Sequence, residues 1–429
     1  MTDGITAKQY KVFNIFLHSL NTLLLYLLVR TFTRQTKSPH SRLLSLVTGG
    51  LFACHPVHVE PVVSIVGRAD LLYSTLFLLS SLLCLSWQPD TTPATAAKFL
   101  TLSTMTFMSM FCKEQGILFL LFWFLLDLIK TSRLRKNVLR REFLVLVLYI
   151  LLNLIVLSAI RLWIINFEKP SFQKGDNPAA FHPNILSRLL TFNYIYCWNF
   201  LLLLMPNWLC FDWSMGCMSI LTIFDWRILI LVAFFLISIM LAVKIFTNFR
   251  QFYIEIFAVA LSLIPFLLST NMFVYVGFVI AERNLYLSVA GTSLLFCQGL
   301  VRLQERLPRL CILSLLLLVF SSFLSKSVVR SSCWATELSL FKSGLSVCPS
   351  NAKVHYNVAK KLADQNRHDE AVTFYKESIR IEPQYEHALN NLANLLKLEK
   401  QFEEAETLLV KATVINPKFS AAHMNLGKN

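Results

Sequence analysis

Apolar stretches recur eleven times between residues 11 and 326, and several approach the ~20 residues that a helix needs to cross ~30 Å of hydrocarbon. A bilayer leaves no water to satisfy backbone N–H and C=O groups, so such a chain is confined to helices that bond internally. The reading is all-α: a polytopic membrane helix bundle over residues 1–330, then a smaller helical domain over 331–429. Charged residues are 15% of the chain, against about a quarter in ordinary soluble domains. Residues 351–429 hold 11 basic and 10 acidic side chains, so nearly all of the net +15 lies in the apolar part. Those cations are strung between apolar runs and not gathered on a solvated face, which argues against a nucleic-acid partner and for membrane lipid.

The cations also orient the bundle. Arg30, Arg34, Lys37 and Arg42 form one cluster, and Lys130, Arg133, Arg135, Lys136, Arg140 and Arg141 a second. Lys244 with Arg250, and Arg302 with Arg306 and Arg309, form two weaker ones. The positive-inside rule wants all four on the cytoplasmic face. Parity allows this only if one stretch does not span. The choice falls on 187–205, laced with Arg188, Asn193, Tyr194, Tyr196, Trp198 and Asn199, a composition suited to the interface. Ten spans remain and the C-terminal domain lies outside the cytoplasm. The first span then enters from outside; a further span ahead of Met1, or a short N-terminal tail that simply translocates, would account for that.

The C-terminal domain repeats at an offset of 34: Pro349, Pro383 and Pro417; Asn357, Asn391 and Asn425; Ala359 and Ala393; Glu370-Ala371 and Glu404-Ala405. This is the tetratricopeptide pattern, a stack of helical hairpins that each complete their core on a neighbour. Two full units, 351–384 and 385–418, precede the start of a third. Leu338, Phe341 and Leu345 are expected to add a half-unit in front.

Ionisable groups near spans are functional candidates, because burying them is costly. Cys54-His55-Pro56-Val57-His58-Val59-Glu60 is the densest group, followed by Gly67-Arg68-Ala69-Asp70. Pro56 and Pro61 disfavour the regular helix that would set His55 and His58 on one face for a metal, and a polar cluster holding Glu60 and Arg68 is the plainer reading. Lys113-Glu114 suits a turn with its own ion pair. Asp176 and the Trp208, Asp212, Trp213 segment read as the flanks of the interfacial helix, with the tryptophans as membrane anchors. Glu282-Arg283 places a charge pair at an apolar mouth, where the planar donor fork of Arg283 suits a lipid phosphate or pairs with Glu282. Cys54, Cys84, Cys112 and Cys297 fall in apolar stretches; among Cys197, Cys210, Cys217, Cys333 and Cys348 a bridge is open. No spacing matches a structural zinc site, and neither metal nor cofactor is expected.

The succession HPVHVE, GRAD, CKEQG, DNPA, TFNY, FDWSMG and VGFVIAERNLY, followed by the repeats, resembles the TMTC family of transmembrane, tetratricopeptide-repeat O-mannosyltransferases. The resemblance implies a GT-C-like fold in the endoplasmic reticulum membrane with luminal repeats. It also implies transfer of mannose from dolichyl-phosphate mannose to Ser or Thr of secretory-pathway proteins such as cadherins, by inverting displacement. Arg68 and Arg283 match motif positions that suit the phosphate, with Glu282, His55, His58, Lys113 and Glu114 as further substrate-binding positions and Glu60 and Asp70 as the candidate catalytic acids. Family members resemble chains with one more span and a loop of paired aspartates in front. Here Met1-Thr2-Asp3-Gly4 stands instead, ahead of Tyr10, Phe13, Asn14 and His18. That departure implies a shortened chain whose catalytic acid is missing and whose activity is in doubt. The alternatives are a non-catalytic scaffold that binds partners through its repeats, and a transporter, for which no inverted repeat of broken helices is present.

Overall fold

The computed structural model describes residues 7–87, 92–133, 141–168 and 171–427. Met1 to Gly4, and Arg135, Lys136 and Arg140 of the second basic cluster, lie outside the described residues. Among those described, the regular elements are all helical. They are α1 (Ala7–Gln35), α2 (Ser41–Cys54), α3 (Val59–Val63), α4 (Arg68–Ser86), α5 (Thr92–Cys112), α6 (Phe119–Arg133), α7 (Arg141–Ile164), α8 (Ile185–Leu204), α9 (Ile228–Thr247), α10 (Tyr253–Leu263), α11 (Ser288–Leu303) and α12 (Arg309–Cys333). After these come α13 (Glu337–Leu345) and the repeat helices α14 (Ala352–Asp364), α15 (His368–Ile381), α16 (Glu386–Leu398), α17 (Phe402–Ile415) and α18 (Ser420–Leu426).

Among the described residues, six helices are long and apolar enough to cross a membrane: α1, α4, α7, α9, α12 and the segment Glu114–Ser132 that contains α6. The protein is a membrane protein on this ground. Of the ten stretches expected to span, α2, α10 and α11 are shorter apolar helices. Their brevity is matched by close packing. A Cβ at Gly291 on α11 would meet the Ala258 carbonyl oxygen of α10 at 2.1 Å, so only glycine lets these two backbones touch.

The basic clusters gather at one end of the bundle. Gln35, just past Arg34, donates to the Leu85 carbonyl at 2.9 Å, and Lys130 donates to its neighbour Cys84 at 3.1 Å. Phe32 stacks on Phe257 at 4.0 Å, and one turn back Phe252 lies under both Arg302 and Lys244. The loops that follow α2, α5 and α8 sit at the opposite end. Helix α8 is held to that end at both of its own ends, with Arg188 donating to Tyr275 (3.1 Å) and the Leu203 carbonyl facing His55 (3.1 Å). Both ends of α8 therefore contact loops at this same end of the bundle.

The repeats keep the 34-residue period in three dimensions: α14, α16 and α18 begin at 352, 386 and 420, and α15 and α17 at 368 and 402. Ala359, Ala393, Ala371 and Ala405 are fully buried in the repeat core, which Leu389, Leu392 and Leu396 fill. Full burial of each of these leucines stabilises by about 1.5–3 kcal/mol. Leu338, Phe341 and Leu345 of α13 pack on this core, so the half-unit in front is present.

Candidate functional site

A cavity of about 160 Å³ opens where the loops at the non-basic end meet the first repeat. Glu60, Asp176, Asp212, Ser214, Arg283 and Lys353 supply its polar wall, and Trp213 and Phe278 are among its apolar members. Each comes from a segment folded for a local reason. Pro56 and Pro61 break the chain after α2 into a 3-10 turn and the short α3, which brings Glu60 inward. Gly67 then lets α4 start against α3, since a Cβ there would lie 2.3 Å from Pro61. Arg283 sits on a 3-10 turn, Glu282–Leu285, just before α11.

The charges pair across the sequence and not within motifs. Arg283 faces Glu60 at 3.8 Å, while Glu282 faces Arg330 of α12 at 3.7 Å. Glu282 also accepts from the Cys210 backbone N–H (2.5 Å) and from the Trp213 indole (3.4 Å). The Glu282-Arg283 dipeptide is thus split: Arg283, with 34% of its side chain exposed, serves the cavity, and Glu282 with Arg330 (7%) forms the buried support behind it. Burial raises the carboxyl pKa of Glu60 above the ordinary range, against the opposing pull of Arg283. Glu282 is raised for the same reason against the pull of Arg330.

The other expected positions divide. Asp70 is tied to Lys113, which also donates to Asn284 at 2.5 Å, so this pair braces the floor next to the turn that carries Arg283. Lys113 and Glu114 do not form the turn's own ion pair: Glu114 pairs with Arg161. Arg68 lies over the Tyr10 ring at 4.3 Å and donates to Asn14, away from Glu60 and from the cavity wall. Both histidines face carbonyl oxygens, His55 that of Leu203 and His58 that of Tyr286 (3.0 Å), and the other nitrogen of His55 accepts from the Val57 N–H. An imidazole nitrogen facing a carbonyl is the protonated one, so these rings fasten loops together. Trp213 is not a membrane anchor; it is buried and lines the cavity.

Sequence reasoning passed over Asp176, Asp212 and Lys353 as site residues, and Arg330 altogether. The first two stand in the motifs DNPA and FDWSMG, which was the available signal. An arginine late in a long apolar helix was the signal for Arg330.

The loop after α8 is fastened to the repeats. Cys217 and Cys348 form a disulfide, and the Ala352 N–H donates to the Met215 carbonyl at 3.1 Å. Between them Gly216 has φ +96°, and a Cβ would fall 2.4 Å from the Ser350 oxygen, so only glycine fits.

Comparison with known proteins bears on the same segments. The family described as Protein O-mannosyl-transferase TMTC, DUF1736 matches residues 166–239, which carry Asp176, Asp212, Trp213 and Ser214; a tetratricopeptide-repeat family matches 339–428. The chain is 36% identical over 416 residues to Protein O-mannosyl-transferase TMTC4 of Mus musculus, covering 88% of this chain and 55% of the relative. It is 31% identical over 488 residues to Protein O-mannosyl-transferase TMTC1 of Mus musculus (91% and 51%), and 30% identical over 414 residues to Protein O-mannosyl-transferase TMTC3 of Homo sapiens (89% and 43%). The chain spans about half the length of the curated relatives it matches.

Proposed function

This chain belongs to the TMTC family, and from that premise we propose that its cavity transfers mannose from dolichyl-phosphate mannose to Ser and Thr hydroxyls of secretory-pathway proteins, cadherin-type domains among them. The observation that carries this reading is the adjacency of Glu60 and Arg283 in one cavity wall at the end of the bundle that bears the repeats. Glu60 takes the proton of the acceptor hydroxyl. The hydroxyl oxygen bonds to the anomeric carbon, the bond from that carbon to the phosphate oxygen breaks, and dolichyl phosphate leaves with the electron pair. Arg283 holds the charge that develops, with donors that do not titrate away at neutral pH. A phosphate competing for Arg283 also releases Glu60 from its ion pair, which makes the carboxylate a stronger base when it is needed. Asp70, bound to Lys113, keeps Asn284 and the turn beside it in place.

The membrane is that of the endoplasmic reticulum, and the repeats are luminal. Two observations support this placement. The basic clusters share the far end of the bundle, which the positive-inside rule assigns to the cytoplasm. The Cys217–Cys348 disulfide lies at the repeat end, and disulfides persist in oxidising compartments. In this division residues 1–330 carry the chemistry and 331–429 the repeats.

The test is transfer of radiolabelled mannose from dolichyl-phosphate mannose to a cadherin-type domain by the chain in nanodiscs, with donor binding measured alongside. Arg283→Ala should weaken donor binding and lower transfer by about 10²-fold. Donor affinity unchanged in Arg283→Ala would remove Arg283 from the site. Donor binding without transfer would overturn the assignment of Glu60 as the base.

A further inference from the structure

The reaction needs a donor side and an acceptor side, and the cavity is built from two domains. Every lining residue named above except Lys353 belongs to the membrane domain. Lys353 is in the first turn of α14, the opening helix of the repeats. Its ammonium lies 3.3 Å from Asp176 and 3.3 Å from Asp212, and so bridges two carboxylates that line the same cavity as Glu60 and Arg283. Asp212 is further fixed through Oδ1 by the Ser214 N–H at 2.8 Å and by Asn351, whose amide also reaches its carbonyl oxygen. Asn351 in turn caps α14 by accepting from the Lys353 and Val354 N–H groups. One residue therefore starts the repeat helix and ties it to the cavity. One turn after Lys353, the half-buried Tyr356 begins a line of rings along the repeats, through Tyr385 at 5.1 Å, itself buried in the repeat core, to the exposed His387 and the half-buried Phe419.

From this juxtaposition we propose that the first repeat is the acceptor-side wall of the transfer site, with Lys353 as the residue that positions it. The proposal rests on the transfer reading above and deepens it. The donor's phosphate belongs with Arg283, on the membrane side. A polypeptide that lies along the ring-lined face of α14 and α16 enters past Lys353 and presents its hydroxyl to Glu60. Without the ammonium, Asp176 and Asp212 face each other uncompensated and the wall opens. The acceptor then loses its seat while the donor keeps its own.

The test uses the full chain in nanodiscs. Lys353→Met keeps the stem of the side chain and removes its charge, and Lys353→Arg keeps the charge. The readouts are KM for donor and for acceptor, and the Kd of a fluorescein-labelled cadherin-type domain without donor. Lys353→Met should raise acceptor KM and Kd by about tenfold or more, a difference of 1.4 kcal/mol, with donor KM within about twofold, and Lys353→Arg should restore most of the loss. Asp176→Asn leaves Lys353 paired with Asp212 and should fall between them, which keeps a comparison if Lys353→Met does not assemble. Equal acceptor Kd in the unaltered chain and Lys353→Met, or donor KM rising by the same factor as acceptor KM, overturns the proposal. If the unaltered chain binds acceptor but transfers nothing, the transfer reading falls and the Kd comparison still decides the wall. If it binds no acceptor, both fall.

Discussion

The two domains solve opposite problems. In the membrane domain the decisive contacts are between charges far apart in the chain, Arg283 with Glu60 and Arg330 with Glu282, in a setting where an unpaired charge is costly. In the repeats the decisive contacts are apolar and local, Ala359, Ala393 and Ala405 under neighbouring leucines, while the charges pair at the surface, as Lys361 does with Glu337 and Asp364. The first arrangement makes a cavity with a shape and a charge. The second makes a spacer whose geometry is set by its period. The cavity lies among these charges, and Lys353 is the place where the two arrangements meet.

Substitutions in the two regions should carry unequal costs. The largest is expected at Arg330. Arg330→Met leaves Glu282 buried without its cation, which should destabilise the membrane domain by about 3–5 kcal/mol, read as a lower thermal midpoint in detergent. A change near zero would mean that Glu282 is held by Cys210 and Trp213 alone. Next is Ala405→Leu, at a fully buried alanine of the repeat core. Overpacking there should cost about 1–3 kcal/mol and lower the melting of the repeats, leaving donor binding unchanged. A coupled loss of donor binding would show that the repeats and the donor side are not separable.

The pH dependence of transfer sharpens the same contrast. Glu60 must be ionised to take a proton, and burial raises its pKa. Transfer should therefore be full above the raised value and fall about tenfold per unit below it, with a midpoint above the ~4.3 of an ordinary glutamate. A midpoint in the ordinary range would place the base at a solvated acid. The smallest effect is expected at Lys361→Met, under about 1 kcal/mol, because this pair is exposed. A larger loss would erase the distinction between the two kinds of charge.

The sequence carried the two domains unequally. The repeats were legible to the residue, since a 34-residue period is read from one chain without partners, and α14 and α16 begin where it says. That Arg30, Lys130, Lys244 and Arg302 belong to one end of the bundle was legible, because basic loops act one by one. The cavity was legible only in part. Glu60 and Arg283 were among the named positions, but their pairing spans most of the membrane domain and leaves no local trace. Neighbours in sequence misled: Glu282 and Arg283 look like a pair, and the turn between them turns one inward to Arg330 and the other toward Glu60. Asp212 and Lys353 were hidden for a different reason, since their contact joins two domains that are each readable alone.

The proposed roles of Glu60 as base and Arg283 as holder of the donor meet in one variant, Glu60→Gln, which keeps the side chain's shape and removes its basicity, with mannose transfer and the Kd of dolichyl-phosphate mannose measured on the same nanodisc preparation. Transfer should fall by about 10²- to 10⁴-fold while donor Kd is held or tightened, because Arg283 loses its competing partner. Transfer at the level of the unaltered chain, or loss of donor binding in step with transfer, would contradict these roles.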